Sequence, residues 1–199
     1  MKIDAPFNEV VRFHGHVCPG LAIGYRVAQA AARELELDRA KDEELVAVVE
    51  NDACGVDAIQ YMLGCTFGKG NLIHRDWGKH AFTIIRRDTG QGVRIVADFH
   101  RPMDEDQEEL SRVLERIRQG VATQEEQARW KSYQGKKVKM MLDEPEDGFL
   151  KITFVKPEIP SKARVAGSIH CDECGEKVMS TKTVKKDGRN YCIPCSTKS

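Results

Sequence analysis

The sequence predicts an α+β fold with a small four-cysteine zinc finger at its C-terminal end. Three observations predict it. Apolar helical stripes alternate with short β-rich runs, and two of those runs form a hairpin that a purely βαβ chain would lack. Four of the seven cysteines crowd into residues 171–195.

The elements follow in order. Residues 19–37 read as a helix, because Pro19 suits a first helical position and Leu21, Ala28, Ala31, Ala32 and Leu35 make an apolar stripe. Ala22, Gly24, Ala28, Ala30 and Ala31 are small enough to admit another element closely. ELVAVVE, residues 44–50, has the length and β-branched content of a buried strand. CGVDAIQYMLGC starts a second helix near Cys54 and ends it at Gly64. Residues 80–99 form a hairpin around Asp88-Thr89-Gly90-Gln91-Gly92. Residues 104–119 make an amphipathic helix, with Leu110, Val113, Leu114 and Ile117 on one face and Gly120 as its stop. Thr123 and Glu126 form a capping box for another helix. FLKITFVK is a closing strand, and PEIPSKARVAGS reads as a linker. The domains are thus a core over 1–155, a linker over 156–168 and a finger over 169–199.

Lys and Arg number 31, as do Asp and Glu, so bulk charge predicts no nucleic-acid partner. Residues 161–199 hold 8 basic and 4 acidic side chains, a net +4 that four zinc-bound thiolates reduce by 2. No stretch approaches the ~20 apolar residues of a membrane span, and MKIDAPFNEVVRFHGH lacks the apolar core of a signal peptide. The expectation is a reducing, cytoplasmic setting in which thiols serve as ligands or catalysts.

Cys171-x2-Cys174 and Cys192-x2-Cys195, seventeen residues apart, supply four thiolates for a structural zinc. Gly175 permits the turn of the first pair, and the second pair fits the start of a short helix. So few large apolar side chains cannot fold this segment, so metal must. A filled sphere leaves no position for catalysis.

HGHVCPG, residues 14–20, is the second centre. In an extended stretch His14, His16 and Cys18 point to one face. Cys18 then falls at a helix N-cap, which favours a thiolate, and Cys54 holds the same kind of position after a strand. His16, Cys18 and Cys54 are the expected metal ligands, for zinc, iron or nickel, with an open position left for substrate. Asp57 or His14 is the expected proton acceptor and Lys69 the clamp on a small anionic substrate, with Asn71 and Lys79 as further candidates. Gly68-Lys69-Gly70 departs from GxxxxGK[ST], which excludes an ATPase. Cys65 reads alone as a small buried hydrophobe, yet joins Cys18 and Cys54 in an alternative thiol-redox reading. His74, His80 and His100 read as surface or loop histidines. A non-catalytic module, recruiting partners through the finger, is the third reading.

HGHVCPGLAIGYR, DACGVDAIQYMLGCTFGKGNL and DWGKHAF, in this order, resemble the FmdE family, which takes its name from formylmethanofuran dehydrogenase. The resemblance covers residues 7–155. It implies an α+β core with a mixed sheet flanked by helices, and a metal-binding active site around HGHxCPG and DxCxxD. Those motifs fall on His14, His16, Cys18, Asp52, Cys54 and Asp57. The tail resembles the treble-clef finger appended to some members. The resemblance further implies a homodimer and association with a formylmethanofuran dehydrogenase or another molybdoenzyme of one-carbon metabolism. The chain lacks the cysteine array of an iron–sulfur protein, so it is not the catalytic component of that oxidoreductase.

Overall fold

Helix-forming and β-branched segments alternate along the first 162 residues, and they close on one mixed sheet. The computed structural model describes residues 3, 5–99, 106–162 and 166–197. It divides into two compact units, Met1–Lys162 and Ala163–Ser199.

In the first unit the helices are α1 (Phe7–His14), α2 (Pro19–Glu34), α3 (Gly55–Leu63), α4 (Gln107–Arg118) and α5 (Gln124–Asp143). The strands are β1 (Leu45–Val49), β2 (Leu72–His74), β3 (Ala81–Arg86), β4 (Gly92–Ala97) and β5 (Leu150–Val155), in the spatial order β2-β1-β3-β4-β5. β1 pairs parallel with β2 and antiparallel with β3, and β3–β4 and β4–β5 are antiparallel. Ala47, Phe82, Ile84, Val93 and Ile95 from the strands meet Leu21, Val27, Ile59 and Leu63 from the helices in one buried core.

The expected α+β architecture is therefore present. In this unit two elements escape the sequence reading. α1 is one, because it is only eight residues long and no side-chain cap marks its start. The other is the three-residue β2, too short to show a period. α2 also stops earlier than expected. Its C-terminus is a Schellman turn in which Leu37 N–H donates to the Ala32 carbonyl (2.8 Å) and Glu36 N–H to that of Arg33 (3.3 Å). Glu36 occupies the left-handed position (φ 49°) where glycine would have announced the stop.

The small residues of α2 face inward. A Cβ on Gly24 would lie 2.1 Å from the Gly55 carbonyl oxygen, so α2 and α3 touch backbone to backbone there. Ala22, Ala28, Ala30 and Ala31 are fully buried within the chain. That face is consumed by the packing of the fold, as the small residues led one to expect. From the same helix, buried Arg26 donates to the carbonyls of Met141 and Leu142 (2.8 and 2.7 Å), capping the last turn of α5. α5 carries the expected capping box, with Thr123 N–H on Glu126 Oε2 (2.7 Å) and Glu126 N–H on Thr123 Oγ1 (3.2 Å). α4 starts behind its Asp106 cap. Asp104 and Glu105, which the sequence places in that helix, lie outside the described residues, as does His100.

The second unit contains β6 (Ser168–His170), β7 (Lys177–Met179), β8 (Thr183–Lys186), β9 (Arg189–Cys192) and the single-turn α6 (Ile193–Ser196). β6 pairs with β7 and β8 with β9, both antiparallel. Buried apolar side chains are nearly absent among its described residues, and what packs at its centre is Cys171, Cys192 and Cys195 with Val178 and Tyr191.

Candidate metal centre

The segment around HGHVCPG is not extended. His14 is the last residue of α1, and Gly15 takes the left-handed conformation (φ 98°) with its N–H on the Val11 carbonyl (2.7 Å). This reversal brings the His16 ring against that of His14, centroids 4.3 Å apart and planes tilted by 39°. Two residues on, Cys18 caps α2, its sulfur accepting from Leu21 N–H (3.4 Å), and Pro19 follows as the first helical residue. Cys54 lies in the turn between β1 and α3. A Cβ on Gly20 would sit 3.2 Å from Cys54 Cβ, so the glycine of the motif makes room for the second thiol.

One donor atom each from His14, His16, Cys18 and Cys54 lies within 4.8 Å of the others. Four donors around one tetrahedral ion with bonds of ~2.0–2.3 Å stand roughly 3.3–3.8 Å apart. A modest contraction of the cluster therefore matches a two-imidazole, two-thiolate set, and the residues fit a borderline-soft divalent metal.

Asp57 completes the arrangement from the first turn of α3. Its Oδ2 is 2.7 Å from His14 Nδ1, and its Oδ1 accepts from Gln60 Nε2 (3.2 Å). The carboxylate assigns the ring proton to Nδ1 and leaves the Nε2 lone pair facing the cluster, 3.8 Å from Cys18 Sγ. His14 thus stands among the donors, with Asp57 behind it and also on the cavity wall, where the sequence cast either as the proton acceptor. Without a cation, the N-cap does not make Cys18 a thiolate. Burial pushes its thiol up to about 11, with the Cys54 thiol adding to that and the Leu21 and Gly20 N–H groups opposing it.

Beside His14 and Cys54 opens a cavity of about 380 Å³, bounded by Asp52, Asp57, Phe67 and His74 and floored by apolar side chains such as Val49 and Leu72. Phe67 is 80 % exposed at its mouth. Sequence reasoning missed both Phe67 and His74. His74 belongs to this wall only because β2 runs parallel to β1, a pairing that no short-range signal announces.

Asn51, which sequence reasoning also missed, lines the cavity and fixes the β1–α3 turn, its Nδ2 donating to the Lys79 carbonyl (2.6 Å) and its Oδ1 accepting from Ala53 N–H (3.0 Å). Other predicted site residues stay apart. Lys69 donates to the Asp42 carbonyl (2.8 Å), ahead of β1, whereas Cys54 follows the far end of that strand. Asn71 is buried beside it, bonded to Asp42, Leu45 and Thr66. Lys79 sits 5.8 Å from the centroid of the exposed Trp77 ring. Among the described residues the cavity lining holds no Lys or Arg, so the expected cationic clamp is not assembled here. Cys65 lies just past the opposite end of α3 from Cys54, fully buried, and burial pushes its thiol up to about 12. The structure does not bring it to Cys18 and Cys54. His80 is exposed.

The four finger cysteines converge as their spacing predicts. Their sulfurs all lie within 4.8 Å of one another. The first pair turns at Gly175 (φ 73°), whose N–H meets the Cys171 carbonyl (2.9 Å). Cys192 caps α6 and Cys195 lies within it. N–H groups of Cys174 and Cys192 pull the Cys171 thiol down to about 6, while the neighbouring Cys192 thiol drives Cys195 up to about 12. Four sulfurs this close ionise together only around a cation, and the set fits tetrahedral zinc.

Comparison with known proteins finds a zinc finger and a family domain in this chain. Residues 165–199 match the prokaryotic dksA/traR C4-type zinc finger. A "Probable S-adenosyl-L-methionine-binding protein" of Archaeoglobus fulgidus is 31% identical over 191 residues, which are 92% of this chain and 50% of that protein. The chain thus spans about half the length of that relative. A crystal structure of a tungsten formylmethanofuran dehydrogenase FmdE-like protein from Syntrophus aciditrophicus superposes with a TM-score of 0.63 at 22% identity, covering 100% of this chain and 96% of that one. That likeness shows a shared fold. Residues 13–151 match the family described as "FmdE, Molybdenum formylmethanofuran dehydrogenase operon". With that match running from Phe13 through the donor cluster to Lys151, the chain belongs to the FmdE family and carries a C4-type zinc finger behind the family's domain.

Proposed function

We propose that the first unit is a metal-dependent domain whose His14, His16, Cys18 and Cys54 hold one divalent ion beside the cavity. Zinc suits a two-nitrogen, two-sulfur set, and iron or nickel are the other candidates. The observation that carries this reading is the convergence of four soft donors within 4.8 Å, with a carboxylate behind one of the imidazoles. When bound, such an ion supplies Lewis acidity. The chain's own residues do the rest. Asp57 orients His14, the apolar floor excludes water, and the Asp52 and Asp57 carboxylates stand where a ligand in the cavity would release a proton. With no side-chain cation in the described lining, an anionic substrate would be drawn by the ion alone.

Elemental analysis of anaerobically purified protein tests this. Two metals per chain are expected, falling to one in a folded Cys18→Ser, Cys54→Ser variant. Two metals retained in that variant would overturn the reading.

Family membership supports a wider setting. In this reading the protein is a cytoplasmic homodimer that serves a formylmethanofuran dehydrogenase or another molybdoenzyme, and the finger docks the partner. S-adenosylmethionine enters only through the name of the longer relative, and calorimetric titration of the metal-loaded chain with it decides that point.

The nearness of the two core sulfurs favours a second reading, thiol-redox chemistry by Cys18 and Cys54 without Cys65. Mild oxidation of metal-free protein followed by mass spectrometry would then show a Cys18–Cys54 disulfide; two free thiols would end that reading.

A further inference from the structure

We propose that His16 is the exchangeable donor of the core centre: three donors hold the ion, and His16 gives up its position to an incoming single-donor ligand. This rests on the metal reading above and adds to it a division of labour among the four side chains.

Three of them are fixed by the fold. The His14 side chain is only 9% exposed and is tied to Asp57 through Nδ1. Cys18 sits at the N-cap of a 16-residue helix, with Leu21 N–H on its sulfur. Cys54 is set in the turn before α3 and packed against Gly20. Moving any of these three would disturb α2 or α3, which are locked together at Gly24 and Gly55.

His16 differs in each respect. It is exposed, and among the described residues no hydrogen bond orients its ring; the face of His14 is its only ring contact there. It follows Gly15, whose left-handed backbone has open space where a side chain would project, and precedes Val17, itself 49% exposed. Histidines held as permanent ligands usually carry a partner on the second ring nitrogen, as His14 does. Among the described residues His16 lacks one, so withdrawing it breaks no other bond. The cavity lies on the side of His14 and Cys54 and is not lined by His16. A ligand can therefore enter from the cavity while His16 leaves toward solvent. The incoming group is a small molecule with one nitrogen, sulfur or oxygen donor and an apolar body to match the floor.

The test uses full-length protein loaded with one equivalent of zinc to fill the finger, then titrated with cobalt(II), whose visible bands report the core donors. Exposure of His16 means that His16→Ala leaves the fold intact, which circular dichroism verifies. The expected result is that His16→Ala weakens cobalt binding less than His14→Ala does, by at least about tenfold, since among the described residues only His14 carries an outer partner worth that much. Cys54→Ser should resemble His14→Ala. Free imidazole should restore the wild-type bands in His16→Ala, and not in His14→Ala, where the position is buried. Equal losses in His16→Ala and Cys54→Ser, or bands in His16→Ala that imidazole does not shift, would overturn the inference. If wild-type protein binds no cobalt beyond the finger, the metal reading itself fails.

Discussion

Asp57 illustrates how much one side chain decides at the residue scale. By holding the proton on His14 Nδ1 it converts a helix-terminal histidine into a donor aimed at two thiols. Asp57→Asn keeps the shape and loses the charge, and it should weaken metal binding about 10- to 100-fold without changing the stoichiometry at saturation. A chelator-competition assay reads this directly. Cys65 makes the opposite case. With its thiol buried and pushed up to about 12, it should resist iodoacetamide at pH 8 in metal-free protein whose first unit stays folded, while Cys174 in the unfolded finger reacts. Peptide mapping checks that order. Residue types were legible in the sequence: two imidazoles and a thiol ahead of a helix-starting proline mark a site by chemistry alone. Their arrangement was not, because alternation in a strand and reversal at a left-handed glycine both bring His14 and His16 to one side. Lys69 misled for a related reason. A lysine between glycines reads as a mobile cation, and only the tertiary fold shows it bonded to Asp42.

Among the elements, the α2–α3 crossing sets the site. Cys18 and Cys54 stand at the starts of those helices, and their separation depends on the contact between Gly24 and Gly55. Gly24→Val forces side-chain atoms into the Gly55 backbone, so it should cost about 3 kcal/mol or more and lower metal affinity at the core site, although it lies more than a helical turn from Cys18. Denaturant titration paired with metal analysis separates the two effects. Glu36 predicts in the other direction. Glycine at its left-handed position should stabilise the fold by about 1 kcal/mol, seen as a rise in the denaturation midpoint. Helices with strong caps and a clear apolar stripe, such as α5, were readable from sequence. α1 and β2 were not, since α1 is about two turns long with no side-chain cap and β2 is too short to show a period.

On the scale of the molecule, the two units are stabilised by different physics. The first buries a continuous apolar core drawn from all five strands and the helices around them. Among its described residues the second has almost no core beyond its cysteines, so metal binding must supply its folding free energy. A strong chelator should therefore abolish amide protection across residues 168–197 while β1, β3 and β4 keep theirs, as hydrogen exchange would show. Acid should act in the same way on the finger, because thiolates that bind zinc take up protons as pH falls. This division was evident from cysteine spacing alone, because CxxC pairs carry their geometry in the sequence. The core centre, by contrast, draws its donors from positions 14–18 and 54, and only the fold joins them.

X-ray absorption at the zinc edge of the fully loaded chain, prepared without oxygen, tests the central claim most directly. A finger with four sulfurs and a core centre with two sulfurs and two nitrogens average to about three sulfurs near 2.3 Å and one nitrogen near 2.0–2.1 Å per zinc. Two zinc ions per chain with that average is the predicted result. One zinc per chain with four sulfurs would confine metal to the finger and contradict the account.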